Sequence, residues 1–171
     1  MGIVDRKVKI VLVGIGGYGN NYVKKLLDYK GQKNYEIVGA VDPYPEGCNK
    51  LEELKDNNIE IFTNLDKFYD KFTADLAIIS SPIQFHLPQI KVAVSNGSNV
   101  LCEKPLTATV ADAKEILRLE EEADKFVGIG YQWSFSEAIL DLKKDILKGV
   151  LGSPKRLKTI ILWPRNKNYF N

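Results

Sequence analysis

The sequence predicts an α/β chain built on a doubly wound parallel sheet with helices on both faces. Three observations carry that expectation. Continuous apolar runs alternate with amphipathic stretches, the pattern of parallel strands buried by helices on both sides. The run Lys9–Val13 passes straight into Gly14-Ile15-Gly16-Gly17-Tyr18-Gly19 and then into helix-like sequence. Asp42 stands 23 residues after Gly19, at the carboxyl end of the second apolar run.

The elements follow in order. Val8–Val13 is the first strand, and the glycines hand it to a helix near Tyr18–Tyr29. A second strand, Glu36–Val41, precedes a helix near Gly47–Asn57. A short third strand, Glu60–Phe62, leads to a helix near Leu65–Phe72, and the fourth, Leu76–Ser80, to a helix near Phe85–Asn96. Asn99–Cys102 is the fifth. In the next helix, Val110–Asp124, residues Val110, Ala113, Ile116, Leu117 and Leu119 supply an apolar stripe, and Glu120-Glu121-Glu122 reads as a solvated face. Phe126–Gly130 is the sixth strand. Ile139, Leu142 and Ile146 keep helical spacing within Ser136–Lys148, which Gly149 and Gly152 close.

From Lys155 the texture changes. The tail has five basic and no acidic residues; with +2 for the whole chain, residues 1–154 carry −3. Leu157–Trp163 reads as a strand with no partner after it, and a lone strand can neither bury a face nor satisfy its ladder groups. The expectation is therefore a nucleotide-binding domain over residues 1–131, then, over 132–171, a linker helix and first strand of a truncated α+β domain in a longer protein. The alternative is a strand that completes the sheet edge or pairs in a dimer.

Composition narrows the partner. With 44% hydrophobic residues the chain can bury a core. A net charge of +2 gives no argument for nucleic acid or an anionic membrane. No segment approaches the ~20 apolar residues of a membrane span, and the N-terminus lacks signal-peptide architecture. Cys48 and Cys102 show no CxxC spacing, and with the single His86 they leave too few soft ligands for a structural zinc. Two reduced thiols in a cytoplasmic protein that binds a small molecule is the reading.

The glycine loop supplies the chemistry. In G-x-G-x-x-G between strand and helix, the first glycine makes the turn and the second lets backbone approach a pyrophosphate. The third allows close helix–strand packing, and the helix N-terminus favours the anion. A carboxylate at Asp42 can accept from the adenosine ribose hydroxyls and would repel a 2′-phosphate, so NAD is favoured over NADP. Asp42 as a turn or cap residue in "DPYPE" is compatible with that role. Lys50 is the one base near enough to welcome a phosphate.

Further along, Ser80-Ser81-Pro82 ends strand four, His86 opens the next helix, and Glu103-Lys104-Pro105 ends strand five. In an open α/β sheet the ligand crevice lies beyond the carboxyl ends of the strands, so these groups converge with the glycine loop. This ordered set, with "SP...H", "NVLCEKPLT" and "GY" after strand six, resembles the family of glucose-fructose oxidoreductase, inositol dehydrogenase and the rhizopine-catabolism protein, Gfo/Idh/MocA. The resemblance covers nearly the whole chain. It implies a Rossmann domain followed by a larger antiparallel-sheet domain that binds a sugar, cyclitol or related polyol, and dimers or tetramers formed through that second domain. It also implies a cofactor site made of Gly14, Gly16, Gly17, Tyr18, Gly19, Asp42, Ser80, Ser81, Pro82, His86, Glu103, Lys104, Pro105 and Tyr131. Within it Glu103 lies beside the nicotinamide ribose and Lys104 near the reacting carbon.

Lys104 also has a chemical case. Oxidising a secondary alcohol with NAD removes a hydride from carbon and a proton from oxygen, so a base must stand within hydrogen-bond reach. A lysine qualifies when burial and the cationic nicotinamide lower its pKa; the plain reading is a solvated lysine paired with Glu103. The sequence departs from the family in two places: "YQWSFS" lacks an arginine common there, and no D-x-x-x-H occurs before Asn171. The expected function is thus a NAD-dependent oxidoreductase whose isolated chain binds cofactor but turns over poorly. The alternatives are a non-catalytic dinucleotide-binding or sensor module and, with no role for Glu103-Lys104-Pro105, a methyltransferase.

Overall fold

In a computed structural model the structure describes residues 6–31, 34–153, 155–162, 164 and 166. They fall into two compact units that meet in sequence between Tyr131 and Gln132. The first unit holds six parallel strands: β1 Val8–Val13, β2 Tyr35–Val41, β3 Ile61–Phe62, β4 Leu76–Ile79, β5 Asn99–Cys102 and β6 Val127–Ile129. Their order across the sheet is β3-β2-β1-β4-β5-β6, so the chain reverses direction of travel between β1 and β4. That is the doubly wound arrangement, with its switch point between the first and fourth strands.

Strand residues alternate between two cores. Val11, Val13, Ala77 and Ile79 face one cluster, which α3 Leu65–Tyr69, α4 His86–Ser95 and α5 Val110–Ala123 cover through Phe68, Ile90 and Ile116. Ile10, Leu12 and Ile78 face the other, covered by α1 Gly19–Asp28 and α2 Leu51–Asp56 through Val23, Leu27 and Leu54. Because both faces are buried, the strands read as unbroken apolar runs. The register of β1 on β2 slips between Ile10 and Val11, and Gly39 lies just past the slip. A Cβ on Gly39 would come within 2.8 Å of the Phe68 ring, so this glycine makes room for the aromatic cluster of Phe62, Phe68 and Phe72.

Several expected boundaries move. The helix expected over Gly47–Asn57 is a 3₁₀ turn at Pro45–Gly47 followed by α2, and a 3₁₀ turn at Ile83–Phe85 precedes α4. In α5, Val110 and Leu117 are exposed. The inward stripe is Ile116 with Ala123. Glu120 is not a solvated residue, because its carboxylate accepts from Val127 N at 2.8 Å and so fastens β6 to the helix.

The second unit has a 3₁₀ turn at Gln132–Phe135 and α6 Glu137–Leu147, after which Gly149 and Gly152 adopt φ of +73° and +68°. The expected strand Leu157–Trp163 is a correction: residues 157–162 are exposed and in no strand, and Trp163 lies outside the described residues. Without a neighbouring ladder an apolar run has nothing to hold it extended. Among the described residues no helix is long and apolar enough to cross a membrane.

Candidate functional site

Strand register assembles the site. Val41, Val13, Ile79, Cys102 and Ile129 pair successively across five strands. The residues one step beyond them, Asp42, Gly14, Ser80, Glu103 and Gly130, therefore form a single row at the carboxyl edge. Backbone bonds of 2.8 Å continue the ladder into that row: Gly14 N to Val41 O, Ser80 N to Val13 O, Glu103 N to Ile79 O and Gly130 N to Cys102 O. Four positions singled out from separate stretches of sequence are thus neighbours in space.

The glycines differ in what requires them. Gly14 has φ +78°, and a Cβ there would sit 2.6 Å from Ser81 N. At Gly19 a Cβ would lie 1.9 Å from Gly14 O, an overlap with backbone. Both are demanded by the protein's own packing. A Cβ on Gly16 would meet nothing closer than Gly47 at 3.6 Å, an ordinary contact, and Gly17, at φ +47°, faces open space. The protein alone does not account for Gly16. No side chain caps α1 and no acid stands in its first turn; α4 shares both features, while Asn64 caps α3 and Thr109 caps α5. Tyr18, at the α1 N-cap, is half exposed. A helix N-terminus with no side-chain cap and no acid of its own in the first turn is suited to an anionic group such as a pyrophosphate.

Asp42 is more engaged than the sequence indicates. Its Oδ2 accepts from Ile15 N at 2.9 Å and Gly16 N at 3.3 Å, and its Oδ1 accepts from Tyr44 N at 2.9 Å. The ribose and turn readings are therefore compatible: the carboxylate closes its own turn and holds the glycine loop. Asn20 adds a second tie, donating to Gly47 O at 3.0 Å and accepting from Asn49 N at 2.7 Å. Beside these residues opens a cavity of about 500 Å³, lined among others by Gly14, Asp42, Tyr44, Ser81, Phe85 and Gln89. Its walls are mostly apolar with a few polar groups, the usual makeup of a small-molecule site.

Ser80 donates to Gly14 O at 2.7 Å, so its hydroxyl supports the loop. Ser81 and Pro82 line the cavity, and Ser81 donates to Gln89. His86 is buried, with no surface to offer a ligand in this unit. Its Nε2 lies 2.8 Å from Ser81 O, and its Nδ1 lies 3.1 and 3.0 Å from Pro105 O and Leu106 O. The imidazole braces the turn after β5 against the end of β4.

Glu103 is buried as well. Its Oε1 accepts from Tyr22 Oη at 2.7 Å and its Oε2 from Lys104 N at 3.1 Å. A Cβ on Gly130 would lie 2.8 Å from Oε1, so glycine there leaves space for the carboxylate. Lys104 is exposed and joined to Pro105 by a cis bond. Among the described residues it forms no ion pair with Glu103. The burial expected around a lysine base is not supplied by this unit. Tyr131, half exposed, follows β6. Sequence reasoning missed Tyr22, Asn20 and Gly130; the one signal available was the inward helical position of Tyr22, three residues past Gly19. Burial raises the Tyr22 phenol pKa, and the Glu103 carboxylate raises it further. Burial pushes the neighbouring Cys102 thiol up to about 12. No group of three His, Cys, Asp or Glu among the described residues could hold a metal.

The family model of oxidoreductases with an NAD-binding Rossmann fold, GFO_IDH_MocA, matches residues 8–131. The chain belongs to the Gfo/Idh/MocA oxidoreductase family. Among curated proteins it is similar to the 2,7-anhydro-N-acetylneuraminate hydratase of Mediterraneibacter gnavus, 28% identical over 86% of this chain and 37% of the relative. It is also similar to the inositol 2-dehydrogenase of Acidothermus cellulolyticus, 26% identical over 88% of this chain and 43% of the relative. Among solved structures, the WlbA dehydrogenase from Chromobacterium violaceum in complex with NADH and UDP-GlcNAcA superposes with a TM-score of 0.77 at 23% identity, over 88% of this chain and 42% of that one. The scyllo-inositol dehydrogenase from Lactobacillus casei with bound NAD(H) and scyllo-inositol gives 0.76 at 21% identity, over 86% and 43%. The chain therefore spans about two fifths of the length of the relatives it matches, and these structural likenesses establish the shared fold.

Proposed function

We propose that this chain is the cofactor-binding part of a NAD-dependent oxidoreductase that moves a hydride between nicotinamide and a sugar, cyclitol or related polyol. The observation that carries the reading is the row Asp42, Gly14, Ser80, Glu103 and Gly130 at the carboxyl edge, with the uncapped N-terminus of α1 beside it. When bound, the nicotinamide supplies the hydride chemistry.

The chain's own residues do the rest. Gly14 makes the turn, and Gly16 and Gly17 present bare backbone, with Tyr18 and Gly19 opening the helix, so that a pyrophosphate meets backbone rather than side chains. The free lone pairs of the Asp42 carboxylate accept from ribose hydroxyls and disfavour a 2′-phosphate, which favours NAD over NADP. The cavity lined by Tyr44, Ser81, Pro82 and Phe85 receives the adenosine half. Glu103 and Tyr131 flank the nicotinamide half, where Lys104 Nζ takes the hydroxyl proton of a bound alcohol or returns it in the reverse direction. Pro105 and the buried His86 hold the turn that carries this lysine. The remaining enclosure and substrate contacts are assigned to a second domain, and homo-oligomers to the full-length protein.

Calorimetric titration of this chain with NAD and, separately, NADP tests the reading. Micromolar NAD binding with NADP weaker is expected, and Asp42→Asn, which keeps an acceptor for the loop but removes the charge, should narrow the difference. Binding of neither dinucleotide would overturn it, and NAD binding by a full-length protein inert toward a panel of sugars and cyclitols would favour a non-catalytic sensor.

A further inference from the structure

Among the described residues only three polar or charged side chains are buried: His86, Ser98 and Glu103. Glu103 is the one carboxylate among them. A buried carboxylate is costly unless donors satisfy it. No cation pairs with it among the described residues. Its two donors are instead the Tyr22 hydroxyl at 2.7 Å and the backbone N–H of Lys104 at 3.1 Å, one on each oxygen.

We propose that Tyr22 is a positioning residue for Lys104, acting through the Glu103 carboxylate to which it donates. The role deepens the proposed function and rests on it. Four further observations support the assignment. The Tyr22 ring already has a packing role, edge-on to Tyr18 with centroids 6.1 Å apart and against the core under α1. A phenylalanine would serve that role equally; the hydroxyl is explained by Glu103 alone. Gly130 leaves the space the carboxylate occupies, since a Cβ there would lie 2.8 Å from Oε1. The phenol titrates well above its ordinary range because it is buried and beside a carboxylate, so it remains a donor at any working pH. Tyr22 also lies one turn into α1, the helix that begins at the glycine loop. The bond from its hydroxyl to Glu103, and from Glu103 to Lys104 N, links the dinucleotide end of the site to the backbone that projects the lysine.

The test uses the full chain labelled with ¹⁵N-lysine and ring-¹³C tyrosine, without cofactor. Tyr22→Phe should shift the Lys104 amide resonance more than that of any other lysine, Glu103→Gln should shift it likewise, and the double substitution should add little to either. Glu103→Gln should also lower the pKa of the Tyr22 phenol, because a neutral amide no longer opposes the phenolate. This second reading stands even if Tyr22→Phe does not fold. A Lys104 amide unmoved by Tyr22→Phe, additive effects in the double variant, or a Tyr22 titration indifferent to Glu103→Gln would each overturn the proposal. NAD affinity is measured on the same samples: a wild-type chain that fails to bind NAD yet shows the coupled shifts would sink the oxidoreductase reading and leave the Tyr22–Glu103–Lys104 linkage standing.

Discussion

Gly16 and Gly19 belong to one motif but answer to different forces. Alanine at Gly19 would place its Cβ 1.9 Å from Gly14 O, and backbone cannot yield as a side-chain tip can; urea denaturation should show a loss of roughly 3 kcal/mol or more. Alanine at Gly16 meets only Gly47 at 3.6 Å, so stability should stay within about 0.5 kcal/mol of wild type, while NAD affinity in calorimetry falls. Equal stability losses at the two positions would contradict this division. The sequence revealed the motif but not this difference, which depends on how near Gly14 O and Gly47 come in the fold. The same holds for Glu103. Its place in the chain suggested a site residue, but its donor Tyr22 is 81 positions away, beyond the reach of any local pattern.

Among the elements, β1 and β4 are joined at their starts by Asp75. Its carboxylate accepts from Lys9 N at 2.8 Å and pairs with Arg6, while its backbone N–H donates to Lys9 O at 2.8 Å. Arg6 and the Lys9 N–H hold the Asp75 carboxyl below the usual carboxylate range. A group whose folded pKa is depressed stabilises the fold above its unfolded value, about 3.9, and loses that contribution as pH falls through the lower folded value. Arg6 is mostly exposed, so screening keeps the effect small. Asp75→Asn should lower Tm by no more than about 4 °C at neutral pH, and the gap to wild type should close in acid below the folded pKa. A gap that persists there would show that the side chain acts by shape rather than charge. Strand cores were legible in sequence: Val8–Val13 and Asn99–Cys102 match the expected runs end to end. Helix faces were less so. Val110 and Leu117 are apolar yet exposed, and the Glu120 carboxylate is engaged by β6, because packing against elements distant in sequence, α4 among them, decides which side is covered.

For the whole molecule, the two buried clusters of the first unit are built, among the described residues, from residues between Ile10 and Ile129. A chain ending at Tyr131 keeps the six described strands and both clusters. It is expected to unfold in a single cooperative transition and to bind NAD within a few-fold of the 171-residue chain, by thermal scanning and calorimetry; aggregation or loss of binding would place essential contacts in residues 132–171. The sequence by itself determined the alternation of strand and helix, the glycine loop and the polar residues at the ends of apolar runs, because each depends on neighbours a few positions apart. Only the tertiary structure decided that Asp42, Gly14, Ser80, Glu103 and Gly130 share one row, that His86 is a buried brace, and that Tyr22 serves Glu103. These facts rest on parallel register and helix packing between distant segments, which hydrogen bonding and burial fix only when the whole sheet is formed.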